Sequence, residues 1–122
     1  MYRPSTRRLL RGGRLIARCL STSAPIPAAT TKYILSYDYV DGILEKRAPF
    51  RQEHVAAAQR EVAAGRLEQA GALADPVDGA MFVFTTEDSE PVERFVRSDP
   101  YYLNGLVPSY SIREWTVVVG ST

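Results

Sequence analysis

The alternation of apolar and polar positions along the chain predicts four β-strands. Residues 32–40 (KYILSYDYV) and 80–86 (AMFVFTT) combine aromatic with aliphatic or β-branched residues, as strands do. Residues 67–73 are another candidate, and the turn-forming residues 75–79 (DPVDG) predict a hairpin between it and the strand at 80–86. The last candidate, residues 111–119, alternates first and then becomes continuously apolar. On the first strand, the two-residue period places four large side chains on one face: Tyr33, Leu35, Tyr37 and Tyr39.

A first helix is predicted between the first two strands. Pro49 suits the first turn of a helix, where its missing N–H would have no partner in any case. The helix is expected to run to about Ala64, with Gly65 following its C-cap. Its apolar stripe is predicted at positions i, i+3 and i+7, which are Val55, Ala58 and Val62.

A second helix is predicted between the third and fourth strands. Asp88 or Ser89 can cap it, and Pro91 lies in its first turn. It must stop before Asp99-Pro100, because proline disfavours a helical conformation in the residue ahead of it. Its apolar face consists of Val92, Phe95 and Val96.

The predicted order βαββαβ indicates a ferredoxin-like α+β fold for residues 31–122, with an antiparallel four-stranded sheet and both helices on one face. The opposite face is then uncovered, and we expect it to carry large residues such as the tyrosine stripe, or Phe82 and Phe84. A small domain that also exposes an aromatic face favours association. The sequence therefore predicts a homodimer that packs sheet on sheet.

Residues 1–30 have the composition of an organelle transit peptide followed by a Pro/Ala linker. They hold six arginines, leucine and isoleucine between them, a Ser/Thr cluster and no acidic residue. We predict a mitochondrial protein, most simply of the matrix, whose mature chain starts between Ser21 and Thr31. A chloroplast address is the alternative destination, and a basic arm that binds an anionic partner is the alternative function. N-terminal sequencing of protein from the native organelle tests the cleavage, and an intact Met1 would contradict a transit peptide.

Charge and composition exclude several classes of function for the domain. Beyond residue 30 there are nine Lys and Arg against 14 Asp and Glu, and this negative balance disfavours nucleic acid as a partner. No apolar run approaches the length of a membrane span. The single cysteine, Cys19, lies in the predicted transit peptide, and His54 is the only histidine. Without thiols, a second histidine or a glycine-rich phosphate loop, no cofactor and no metal site is expected.

His54 is thus the one candidate for imidazole chemistry. Arg51 and His54 are three residues apart on the first helix and share a face. Taken alone, a single histidine near a helix start is more often a surface residue than a catalytic one. Asp99 could orient His54 from the end of the second helix, although an Asp before Pro is also a common turn residue.

The order and spacing of six short segments resemble the YciI-like (YCII-related) family of small dimeric proteins. The resemblance extends over about residues 32–119 and includes Leu44-Glu45-Lys46-Arg47, Arg51-x-x-His54, Gly65-Arg66-Leu67, Ala70-Gly71, Asp99-Pro100-Tyr101 and Gly105-Leu106-Val107. It implies a dimeric α+β barrel and an acid/base pair formed by His54 and Asp99. The family's Gly-Ser pair at the start of the third strand is Gly79-Ala80 here, so that hydroxyl is missing.

Two functions from different classes are compatible with these residues. In the first, the chain is an enzyme that isomerises, eliminates from or hydrolyses a small organic acid or lactone. His54 would be the general base or acid, Asp99 would orient it, Arg51 would hold an anionic group, and Tyr101 or a first-strand tyrosine would line the pocket. In the second, the chain is a non-catalytic mitochondrial dimer that binds a small ligand or a partner protein.

Overall fold

The computed structural model describes residues 29–120. Residues 1–28 lie outside this range, and with them almost all of the predicted transit peptide and linker, including Cys19. The described elements are β1 (Thr31–Asp38), α1 (Ile43–Lys46), a 3₁₀ turn (Ala48–Phe50), α2 (Arg51–Ala63), β2 (Leu67–Leu73), β3 (Gly79–Thr86), α3 (Glu90–Ser98), α4 (Pro100–Leu103) and β4 (Ser109–Trp115).

The four strands form one sheet in the order β2-β3-β1-β4, and every neighbouring pair is antiparallel. In the centre of the sheet, Leu35 of β1 pairs with Phe82 of β3 on one side and with Ile112 of β4 on the other. The predicted hairpin between β2 and β3 is confirmed by their direct pairing. Together with the two longer helices, this topology confirms the ferredoxin-like α+β fold.

The last strand is shorter than predicted. It begins at Ser109 and ends at Trp115, whereas the apolar run had indicated a strand to residue 119. Trp115 pairs with Lys32, one residue from the start of β1, so the partner strand ends there. Val118 and Val119 continue beyond it, each 86% exposed.

The prediction that the aromatic stripe lies on the uncovered face is wrong. Leu35, Tyr37, Phe82 and Phe84 are all buried, and they pack with the apolar face of α3 in the core. The alternation shows which residues share a face of the sheet, but not which face the helices cover. The helices pack on the face with the larger apolar side chains, because this arrangement buries more apolar area. The other face, which we call the outer sheet face, carries the polar residues Lys32, Ser36 and Arg113 together with the apolar residues Ile34, Met81, Val83 and Trp115.

The predicted apolar stripe of the first helix is also wrong in part. The buried residue of α2 is His54, with Ala57 and Ala58 packed against the core, whereas Val62 is 51% exposed. The helix is therefore rotated so that its histidine faces inward. An inward histidine requires a hydrogen-bond partner in the interior.

Candidate active site

Asp99 is positioned by the chain reversal between α3 and α4. It has extended dihedral angles (φ −72°, ψ 125°), as expected for a residue that precedes proline. It is the N-cap of α4, and its Oδ1 accepts the Tyr101 backbone N–H at 3.0 Å. The side chain is fully buried, so this short helix presents a carboxylate to the protein interior.

Three donors satisfy the Asp99 carboxylate. Besides the Tyr101 N–H, Oδ1 lies 2.8 Å from His54 Nδ1, and Oδ2 accepts the Tyr37 hydroxyl at 2.6 Å. An ionised carboxylate can only accept hydrogen bonds, so Nδ1 carries the hydrogen in this arrangement. When the ring is neutral, its free lone pair is then on Nε2.

Aromatic rings hold the His54 imidazole in one orientation. It stacks on the Tyr101 ring with centroids 3.8 Å apart and an angle of 7° between the planes. The edge of Phe82 closes another side at 6.1 Å, and His54 is only 8% exposed. Stacking and the Asp99 hydrogen bond together fix both the position and the tautomer of the ring, which is the preorganisation that proton transfer needs.

A groove of about 430 Å³ passes along His54 between α2 and β2. One end is polar and is lined by Tyr39, Arg47, Arg51 and Tyr101. Neither arginine forms an ion pair with a carboxylate of residues 29–120. Two guanidinium groups without a carboxylate partner, beside a buried imidazole, are suited to hold an anionic group next to that ring.

The Tyr101 hydroxyl is buried in this polar end. The Arg51 guanidinium lies close enough to donate to it, but the phenolic proton has no acceptor within residues 29–120. Burial raises the pKa of Tyr101, while the nearby Arg51 and Arg47 lower it in part, so the net change is upward. The phenol therefore keeps its proton at neutral pH. A buried hydroxyl that is free to donate is an unusual feature and is suited to a bound oxyanion.

Tyr37 leads to a prediction about alkaline pH. Burial, and then the Asp99 charge, raise the pKa of Tyr37 well above its ordinary value of 10.0. Above pH 10 the unfolded chain releases the phenolic proton of Tyr37 while the folded chain retains it, so the stability of the wild type falls as pH rises. At pH 7, Tyr37→Phe should cost about 1.5–3 kcal/mol, since a hydrogen bond to a charged group is lost.

This cost should shrink by up to about 1.4 kcal/mol per pH unit above pH 10, because phenylalanine has no proton to lose. Urea unfolding of both proteins between pH 7 and 11.5 measures the difference. A difference that stays constant over this range would contradict the raised pKa.

The structure places all four residues singled out from the sequence in one region. His54 and Asp99 are hydrogen-bonded, and Arg51 and Tyr101 line the same groove. Sequence reasoning missed the partnership of Tyr37 with Asp99. It also missed Arg47 as a site residue, because Arg47 precedes the predicted first helix. The partnership of Tyr37 could have been inferred from its place in the stripe of large side chains on the first strand, because a phenol on a buried face needs a hydrogen-bond partner.

Two further observations apply to residues 29–120. No helix there is long and apolar enough to cross a membrane. No three His, Cys, Asp or Glu side chains of that part of the chain are grouped so that they could hold a metal ion.

The fold and the site together define a small α+β domain with a ferredoxin-like sheet and a buried His–Asp pair beside an open groove. Residues 31–116 match the YCII-related domain, and the chain belongs to this family. None of the curated proteins matches the chain.

Two of the solved structures that match the chain illustrate the shared fold. One is 5-chloro-2-hydroxyhydroquinone dehydrochlorinase (TftG) from Burkholderia phenoliruptrix AC1100 in complex with 2,5-dihydroxybenzoquinone, with a TM-score of 0.61, 18% identity, and coverage of 70% of this chain and 93% of that one. The other, named for antibiotic biosynthesis monooxygenases, is from Bacteroides thetaiotaomicron VPI-5482, with a TM-score of 0.51, 12% identity, and coverage of 77% and 94%. At these identities the likeness shows the fold alone.

Proposed function

We propose that this protein is a small acid/base enzyme of the mitochondrial matrix that transfers a proton to or from a small organic acid or lactone. His54 is the general base or acid, Asp99 orients it, Arg51 holds an anionic group of the substrate, and Tyr101 lines the pocket. The observation that carries the proposal is the buried Asp99, whose contact with Nδ1 leaves Nε2 as the other nitrogen of a ring that lines the groove.

The chemistry available to this site is proton transfer. His54 Nε2 can take a proton from a carbon or oxygen of the substrate, and the imidazolium that forms is stabilised by the Asp99 carboxylate. If the His54 imidazolium returns that proton to another atom of the substrate, the reaction is an isomerisation. If the imidazolium gives the proton to a leaving group, the reaction is an elimination. A dehydrochlorinase with the same fold supports the elimination, since that reaction also removes a proton and a leaving group.

The proposal is tested by ¹H NMR on a panel of small hydroxy acids, keto acids, halogenated phenols and lactones in D₂O. Exchange of a C–H for C–D, loss of a leaving group and ring opening are all visible in the same spectra. We expect one chemical group of the panel to react at a rate proportional to enzyme concentration. No reaction of any compound beyond the buffer rate would overturn the proposal.

One observation favours a second candidate, a non-catalytic ligand-binding protein. Ala80 is 3% exposed and lies in the groove, at the position where the family's pattern has a serine hydroxyl. Without the serine hydroxyl, the site has one hydrogen-bond donor fewer to stabilise the charge that develops during a reaction, although it can still bind a ligand. Compounds that shift NMR signals of the protein but never react would identify this function.

The proposed assembly is a homodimer that packs through the outer sheet face. Its support is the apolar group of Ile34, Met81 and Val83 in the middle of that face, with Met81 41% exposed. A small domain gains stability by covering such a surface. We therefore expect twice the monomer mass in light scattering.

Placing a charge on this face, in Val83→Glu, should produce a monomer at micromolar concentration, since an unpaired carboxylate cannot be buried between two sheets. The matched control, Val62→Glu, alters a valine of α2 on the other side of the sheet and should remain dimeric. A wild-type monomer, or a Val83→Glu dimer, would contradict this interface.

A further inference from the structure

The groove beside His54 continues into an apolar half that acid/base chemistry alone does not require. Its floor is formed by three buried residues, Leu67, Ala80 and Phe82. One wall is the α2 face that carries Val55, Ala58 and Val62, and the other is β2 with Ala70 and Ala72. Gln59 of α2 and Glu68 and Gln69 of β2 also line the groove, so this apolar surface is bordered by polar side chains.

The apolar half stays open because its second wall is built from small residues. Strand β2 is at the edge of the sheet, and Ala70 and Ala72 pair with Phe82 and Ala80 on its groove side. Larger residues at these positions would fill the space beneath α2 and bury Val62, which is instead 51% exposed. An open apolar cleft of this volume, with polar groups at one end, is the usual form of a small-molecule site.

The polar end supplies positive charge and a buried donor. The charges of Arg47 and Arg51 lower the pKa of Tyr101 in part, and the Tyr101 hydroxyl has no acceptor for its proton within residues 29–120. The charges of the same two arginines also lower the pKa of Tyr39 in part, so the four side chains form one cluster. A carboxylate placed there would receive hydrogen bonds from the guanidinium groups and from the Tyr101 hydroxyl.

We propose that the groove binds an organic carboxylate with an extended apolar body, its head at Arg47, Arg51 and Tyr101 and its body between α2 and β2. This inference rests on the proposed function and narrows its substrate class from small organic acids to amphipathic ones. Ala70 and Ala72 determine how large a body can enter, because they form the wall with the smallest side chains. His54 lies between the two halves, beside the carbons nearest the head group.

Isothermal titration calorimetry of the full chain with butanoate, hexanoate and octanoate tests the apolar half. Affinity should rise about threefold to fourfold per added methylene, as expected for burial of each CH₂. Octanamide, which has the same chain but no charge, should bind at least about tenfold more weakly than octanoate. Arg47→Gln should remove most of that difference.

Ala70→Leu should lower the gain per methylene to less than about twofold, because the added side chain occupies the space for the ligand. Ala63→Leu, the same change at an exposed α2 position outside the groove, should leave the series unchanged. Equal affinity for all three acids, or an unaltered series in Ala70→Leu, would overturn the inference.

The outcomes separate this inference from the proposed function. A protein that shows the chain-length series but converts no compound of the NMR panel binds amphipathic acids without being an enzyme. A protein that converts short acids but shows no chain-length series is an enzyme whose apolar half has no part in binding.

Discussion

Asp99→Leu should lower the free energy of unfolding by at least about 3 kcal/mol. The substitution leaves three donors without an acceptor, namely Tyr37 Oη, His54 Nδ1 and the Tyr101 N–H. Each buried polar group that loses its partner costs about 1–3 kcal/mol. Small domains are stable by only about 5–15 kcal/mol in total, so much of the stability depends on this one carboxylate.

Thermal and urea unfolding measure this loss, which corresponds to a fall in melting temperature of about 12 °C or more. The matched control is Asp99→Asn. Its amide oxygen can still accept from Tyr101 N–H and His54 Nδ1, its NH₂ can donate to the Tyr37 oxygen, and asparagine is as good an N-cap as aspartate. Asparagine should therefore cost much less than leucine. Equal stability of all three proteins would show that the network carries no stabilisation.

The fold could be predicted from the sequence because local signals mark most boundaries. Turn residues 75–79 separate two short apolar runs, and Pro91 and Pro100 fix the start of α3 and of the helix that follows it. The covered face of the sheet could not be predicted, since alternation gives two faces and only packing against α3 decides between them. The short helix α4 was missed because four residues are too few to show a period.

The candidate site could be predicted from the sequence only in part, for a related reason. The spacing of Arg51 and His54 shows that they share a helix face, but not that this face turns inward. The predicted stripe consisted of Val55, Ala58 and Val62, whereas the hydrogen bond to Asp99 makes His54 the most buried residue of α2. The contact joins positions that are 45 residues apart, which no local pattern specifies.

His54→Gln should lower the rate of the reaction found in the NMR panel by between about a hundredfold and ten-thousandfold, the range that general acid/base catalysis contributes. Glutamine is uncharged over the whole pH range and cannot take the proton. Its amide NH₂ can still donate to Asp99, so the fold and the ligand contacts at Arg51 should be kept. A reduced kcat with little change in KM is the expected signature.

Asp99→Asn should lower the same rate by a smaller factor, about tenfold to a hundredfold, because the neutral amide keeps the ring in place but stabilises the imidazolium less. In ¹⁵N NMR of this variant, Nδ1 should remain the protonated nitrogen of the neutral ring, since the Tyr101 N–H keeps the amide oxygen turned towards His54. With the tautomer unchanged, a lower rate reports weaker stabilisation of the imidazolium, whereas a merely structural role of Asp99 predicts the wild-type rate in this folded variant.

The control for both variants is Glu53→Gln, which changes an exposed charge on the same turn of α2. Its rate should equal that of the wild type, and a fall there would indicate a general electrostatic effect of the helix. The decisive comparison is the rank order, with His54→Gln slowest and Asp99→Asn intermediate. If His54→Gln reacts as fast as the wild type while it remains folded, the proton is transferred by another group and the imidazole only binds.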